Sequence, residues 1–128
     1  MTEHVEAHEE LIENLKAEFH MILKHSDQAV YIYLDDAHKL CNQNFSSLLG
    51  YSSPEEWGEQ ETFIDNFVEK ESQQTLVDAY QGATVDFVGS ELAVTWKKKD
   101  KSPVKTKVIL VPIAFQEEIL ALHFISPV

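Results

Sequence analysis

An α+β domain is the fold class this sequence predicts: an antiparallel sheet with helices against one face. Two observations carry it. The first is the order of patterns, which runs helix, two strands, several short helices, three strands. The second is continuity: tight turns join the strands, and no internal repeat, low-complexity tract or linker interrupts the 128 residues. A chain of that length builds one hydrophobic core and not two. Its apolar content of 44% is ordinary for a globular protein.

Residues 3–25 predict one amphipathic helix. Val5, Ile12, Leu15, Phe19 and Ile22 fall at spacings of three and four, Leu11 and Leu23 widen the stripe, and His8 is its one polar member. Glu crowds the first turns, as the positive end of a helix dipole favours. A helix this short is marginal alone, so its stripe needs cover. It either folds back on its own domain or pairs with the same helix of a second subunit. The near-heptad spacing makes pairing the expectation. Residues 1–25 are therefore read as a dimerisation helix and 26–128 as the domain proper.

Ser26 and Asp27 end that helix. Val30, Ile32 and Leu34 then alternate with Ala29, Tyr31 and Tyr33, the period of a strand. Asp35, Asp36 and Ala37 turn the chain, and residues 39–43 return as a second strand. Residues 61–68 suggest a brief helix or loop. Residues 72–81 predict a firmer helix, with Leu76, Val77 and Tyr80 on one side and Gly82 as its stop. Residues 85–88 read as extended and 92–98 as a strand. Asp100 and Lys101 mark a tight turn into a long strand over 104–115. Its continuous apolar run, 108–115, predicts cover on both faces. Glu117 and Glu118 turn the chain into a last strand over 119–125.

The most informative stretch runs from Asn44 to Trp57. Asn44 reads as a helix cap, and Gly50 as a left-handed stop after one helical turn. Ser53 then caps a second short helix that opens Pro54-Glu55-Glu56. This Asn, five residues, Gly-Tyr-Ser, Pro-Glu-Glu pattern resembles the centre of a PAS domain. Leu40 matches the apolar residue of that family's second strand, and Asp65-Asn66-Phe67-Val68 the segment before its longest helix. Lys98-Lys99-Asp100-Lys101-Ser102 looks like its Lys-Asp-Gly-Ser turn, and Val111-Pro112-Ile113 like its late strand. Two departures stand out. Glu69-Lys70-Glu71 occupies a place where many members have His-Pro-Glu-Asp, and Lys101 replaces the turn glycine. The resemblance spans about 19–125. It implies a five-stranded sheet in the order 2-1-5-4-3 and a sensory or signal-transduction module.

Composition narrows the partners. A formal net charge of -12 and the absence of arginine argue against nucleic acid, which needs cations to displace counterions from phosphate. Lysines gather late, at 97–99, 101, 105 and 107, opposite acidic runs at the start and middle. They form either solvated faces or a contact between subunits or with a partner. No apolar run approaches the ~20 residues that cross a membrane. With a single cysteine and no apolar leader, the expectation is a soluble, cytoplasmic protein.

A ligand held between sheet and long helix is what the resemblance implies. The apolar candidates for its pocket are Ile32, Leu40, Phe67, Leu76, Tyr80, Val94, Trp96, Val108, Leu110, Leu122 and Phe124, with Asn42, Asn44 and Thr106 as orienting groups. Each apolar one also serves as plain core. A LOV-type flavin is argued against, because Cys41 precedes Asn44 and is read as a small buried residue. Helix-histidine heme is argued against too, because residues 72–81 hold no histidine. His123 is expected to be an ordinary strand histidine. His4 and His8, spaced to chelate a metal, are read as a solvated face. Asp35, Asp36 and His38 suggest an acid/base set, yet a hairpin turn accounts for the aspartates.

The reading is a non-enzymatic PAS-type module that binds a small ligand or a protein partner and signals through homodimer packing. A ligand-free dimerisation module is the alternative. Further off stands a small cone-shaped α+β pocket enzyme, for which only His123 could serve as acid or base.

Overall fold

A computed structural model describes residues 2–128, with side chains from His8 onward; His4 and Val5, singled out above, lie outside the described side chains. The chain forms helices α1 (Thr2–Glu18) and α2 (His20–His25), strands β1 (Ala29–Asp35) and β2 (His38–Cys41), and helices α3 (Gln43–Leu48), α4 (Pro54–Gly58), α5 (Phe63–Phe67) and α6 (Lys70–Asp86). Strands β3 (Ser90–Lys97), β4 (Pro103–Phe115) and β5 (Glu118–Pro127) complete it. The five strands make one sheet in the order β2-β1-β5-β4-β3, every neighbouring pair antiparallel. That is the class and strand order expected.

β1 is buried on both sides, and its two faces meet different layers. Ala29 and Tyr31 join Phe45, Trp57, Phe63, Phe67, Val94, Trp96 and Val108 in a core roofed by α3 to α6. Val30 and Ile32 face the other way, into a cluster with Leu11, Ile12, Leu15, Leu40, Leu120 and Leu122. The N-terminal stripe is thus covered by its own sheet. Leu15 is fully buried there, and such a leucine is worth roughly 1.5–3 kcal/mol. This corrects the expectation for Leu11, Ile12 and Leu15: sheet positions 30, 32, 120 and 122 supply the apolar surface that a second helix was to supply. Phe19 packs on Phe115, their rings 5.9 Å apart. Ile22 alone of the described stripe is left exposed. The helix is also two helices, because Phe19 leaves helical geometry (φ -101°, ψ 10°).

Local chemistry explains most boundaries. Ser53 caps α4 by accepting from Glu56 N, and Glu56 Oε1 accepts from Ser52 N at 2.7 Å. Gly50 adopts φ +84°, which a side chain would resist. Lys101 takes φ +74° in the turn where the family pattern has glycine. Three expectations need correction. Asn42, not Asn44, caps α3: its Oδ1 accepts from Phe45 N and from Val30 N, both at 3.0 Å. Asn44 instead donates to Ser26 O at 2.9 Å. Helix α6 passes through Gly82 and ends at Phe87, whose positive φ and Val88 N–H to Gly82 O bond close the turn, so residues 85–88 are not a strand. Finally, β4 alternates in burial rather than being covered on both faces. Helices α1 and α2 reach only part of the outer face, and Ile109 stays exposed.

Candidate functional site

Between the sheet and α6 lies a cavity of about 260 Å³. Tyr31, Tyr33 and His123 form its floor on β1 and β5, Leu76, Val77, Tyr80 and Gln81 its wall on α6, and Phe63 and Ile64 its end on α5. The floor exists because Tyr31 pairs directly with His123 across the β1–β5 ladder. Their rings stack 3.9 Å apart at 13°. Tyr33 sits two residues on, the same face of the strand, and meets Phe63 and Tyr80 at 4.9 and 5.6 Å.

Polarity is sparse and specific. Tyr33 Oη donates to Asp36 Oδ1 at 2.8 Å, and Tyr80 Oη donates to Tyr33 O at 3.2 Å. Tyr31 Oη and His123 Nδ1, by contrast, are buried with no hydrogen-bond partner among the described residues. An orphaned buried polar atom costs about 1–3 kcal/mol, so two in one wall need a reason. Burial lowers the His123 imidazole to about pH 3, so it stands neutral, with one nitrogen able to accept or donate. Burial likewise raises the Tyr31 phenol well above its ordinary range, leaving a neutral hydroxyl.

Of the expected pocket residues, Leu76 and Tyr80 line this cavity. Phe67, Val94, Trp96 and Val108 fill the adjoining core, and Leu110 packs under α6 with Ala83 and Ala121. Ile32, Leu40, Leu122 and Phe124 belong to the opposite face, against α1 and α2. The error has a physical source: β1 and β5 are apolar on both faces, so alternation alone does not say which face meets the helices. Asn42 is spent on the α3 cap. Thr106 accepts from Trp96 Nε1 at 2.8 Å and donates to Val94 O at 2.9 Å, so it is closed to a ligand. Tyr31, Tyr33, Phe63 and Val77 were missed as pocket residues. The signal available was the tyrosine pair at 31 and 33, two amphipathic rings on one strand face.

A larger groove of about 600 Å³ lies outside, between the N-terminal helices and the β2–α4 edge. The buried Lys39 amine in its lining is already held by the carbonyls of Asp36, Gly58 and Gln60. Cys41 lines it from β2 and is buried, and burial pushes its thiol far up, away from reactivity.

No family model matches this sequence, and no curated protein resembles it closely. Solved structures do. The PAS domain of an HTR-like protein from Haloarcula marismortui is 20% identical, covering 96% of this chain and 99% of that one, with a TM-score of 0.62. A PAS domain from a two-component sensor histidine kinase aligns at 13% identity over 91% of this chain and 99% of the other, TM-score 0.66. This chain has the PAS fold. A LOV protein of Rhodobacter sphaeroides also shares it, at 13% identity and a TM-score of 0.68 over 91% of this chain and 68% of that one. At such identities the likeness speaks for the PAS architecture, and the site must be argued from its own residues. No described helix of this PAS fold is long and apolar enough to cross a membrane.

Proposed function

We propose that this PAS fold works as a sensory, non-catalytic module whose cavity takes a small, mostly aromatic or apolar molecule bearing one or two polar atoms. The observation that carries the reading is that Tyr31 and His123, each with a buried polar atom that has no partner among the described residues, line a mostly apolar cavity. A ligand with a neighbouring donor and acceptor would satisfy both. At about 260 Å³ the space suits a single- or double-ring compound rather than a dinucleotide or heme. Signalling would run through the sheet, since β1 and β5 touch the cavity on one face and the helix α1 on the other. Homodimer packing belongs to this proposal as well. Exposed Ile109 on the outer face of the sheet, and exposed Met21 and Ile22 on α2, offer apolar surface for it.

The pocket-enzyme reading is weaker on this geometry. His123 does sit in the cavity wall, yet a base titrating near 3 is a poor proton acceptor at neutral pH. Native mass spectrometry and an absorption spectrum of freshly purified protein test the proposal, followed by thermal-shift screening of small aromatic compounds. A retained or stabilising ligand that is lost in Val77→Trp, which fills the cavity, is the expected result. Failure of every compound to raise the melting temperature, with no retained mass, would leave a ligand-free dimerisation module.

A further inference from the structure

Outside the cavity, three residues from three elements converge where α1 crosses the β1–β2 hairpin. His8 comes from α1, Asp35 from the end of β1, and His38 from the start of β2. One candidate ligand atom of each lies within 4.8 Å of the others. We propose that His8, Asp35 and His38 form a Zn²⁺ site that fastens the N-terminal helix to the hairpin.

Both carboxylate oxygens of Asp35 meet the imidazoles, and His38 Nδ1 lies marginally nearer Oδ1, at 2.9 Å. Asp35 Oδ2 is 2.5 Å from His8 Nδ1 and 3.0 Å from His38 Nδ1. In a tetrahedral zinc site, ligand atoms about 2.0–2.1 Å from the ion stand about 3.3 Å apart. Admitting the ion among the three therefore opens the His8 contact by about 0.8 Å and the His38 contact by about 0.3 Å. Two imidazoles and a carboxylate are a donor set suited to a borderline divalent transition ion, with water in the fourth position. Asp35 is about one-third exposed, so that position has access to solvent.

Outer contacts are of the kind that hold metal ligands in place. The second oxygen of Asp35, Oδ1, accepts from Ala37 N at 2.8 Å and from His38 N at 2.7 Å, which fixes the carboxylate plane. Glu9 Oε1 lies 4.0 Å from Nε2 of His38, beyond hydrogen-bond reach but on the ring edge away from Asp35. His8 itself is buried, against the expectation of a solvated face.

Isothermal titration of ZnCl2 into the chelator-stripped full chain is the test. One Zn²⁺ per chain should bind and should raise the melting temperature. His38→Ala and His8→Ala should each weaken binding at least about tenfold, the loss that even an outer partner produces. His20→Ala and His25→Ala, which change histidines outside the cluster, should leave it unchanged. Circular dichroism of the metal-free His38→Ala variant verifies that it folds. No binding by the wild-type chain would reduce the cluster to a hydrogen-bonded latch and overturn the proposal. So would binding that survives His38→Ala and disappears in His4→Ala, because the ion would then sit on the helix alone.

Discussion

Tyr31 and His123 stack face to face across adjacent antiparallel strands, ring centroids 3.9 Å apart, each keeping one buried polar atom without a partner among the described residues. Stability should depend on pH through this pair. The imidazole titrates near 3 when folded and near 6.5 when unfolded, so protons bind the unfolded chain first. Its contribution is whole above about pH 6.5 and is lost as pH falls toward 3, at about 1.4 kcal/mol per pH unit at the steepest. His123→Phe keeps a ring on Tyr31 and removes the titration. Urea unfolding at pH 7 and pH 5 should show a smaller drop for the variant, and equal drops would contradict the assignment.

Asn42 and Asn44 should behave very differently. Asn42 is buried and serves two backbone N–H groups, of Val30 and Phe45, while donating to Gln28 O at 2.8 Å. Asn42→Ala orphans both N–H groups and should destabilise by about 2–4 kcal/mol. Asn44→Ala removes an exposed bond and should fall within about 0.5 kcal/mol of wild type. Chemical denaturation of both variants decides which asparagine holds the motif.

Removing Leu15 tests whether the N-terminal helix is part of the domain's own core. Leu15→Ala empties a fully buried site against Val30, Ile32 and Leu120 and should cost about 2–5 kcal/mol. A midpoint that depends on protein concentration, and that Leu15→Ala shifts only at high concentration, would instead place the leucine between subunits.

At Lys101 a gain is expected. Its φ of +74° strains any side chain with a Cβ, and left-handed backbone costs roughly 1–2 kcal/mol there. Lys101→Gly relieves that but adds unfolded-chain freedom, leaving a net stabilisation of about 0.5–1 kcal/mol. A lower melting temperature for the variant would contradict the strain.

Much of this molecule was legible residue by residue. The Ser53-Pro54-Glu55-Glu56 start of α4, the left-handed Gly50 and the hairpin at Asp35 each follow from local backbone chemistry, which a few neighbouring residues fix. Strand existence followed too, because alternation is a local property. The α6 terminus did not: Gly82 is tolerated inside a helix, and the left-handed Phe87 that closes it carries no glycine signal. Which face of β1 would meet the helices was equally invisible, since Tyr31 and Ile32 are both fully buried, in different layers.

By itself, then, the order of apolar periods and turn residues settled an α+β chain with a short-helix centre, and it was the resemblance of that centre that implied the PAS type. Tertiary packing alone chose the side of the sheet that holds the cavity, set Tyr31 against His123, and brought His8 to Asp35 across twenty-seven positions of sequence. The physical reason is range. Caps, turns and pleats are decided within a few residues, whereas the pairing of two apolar faces is decided only by what each can bury once the sheet has closed.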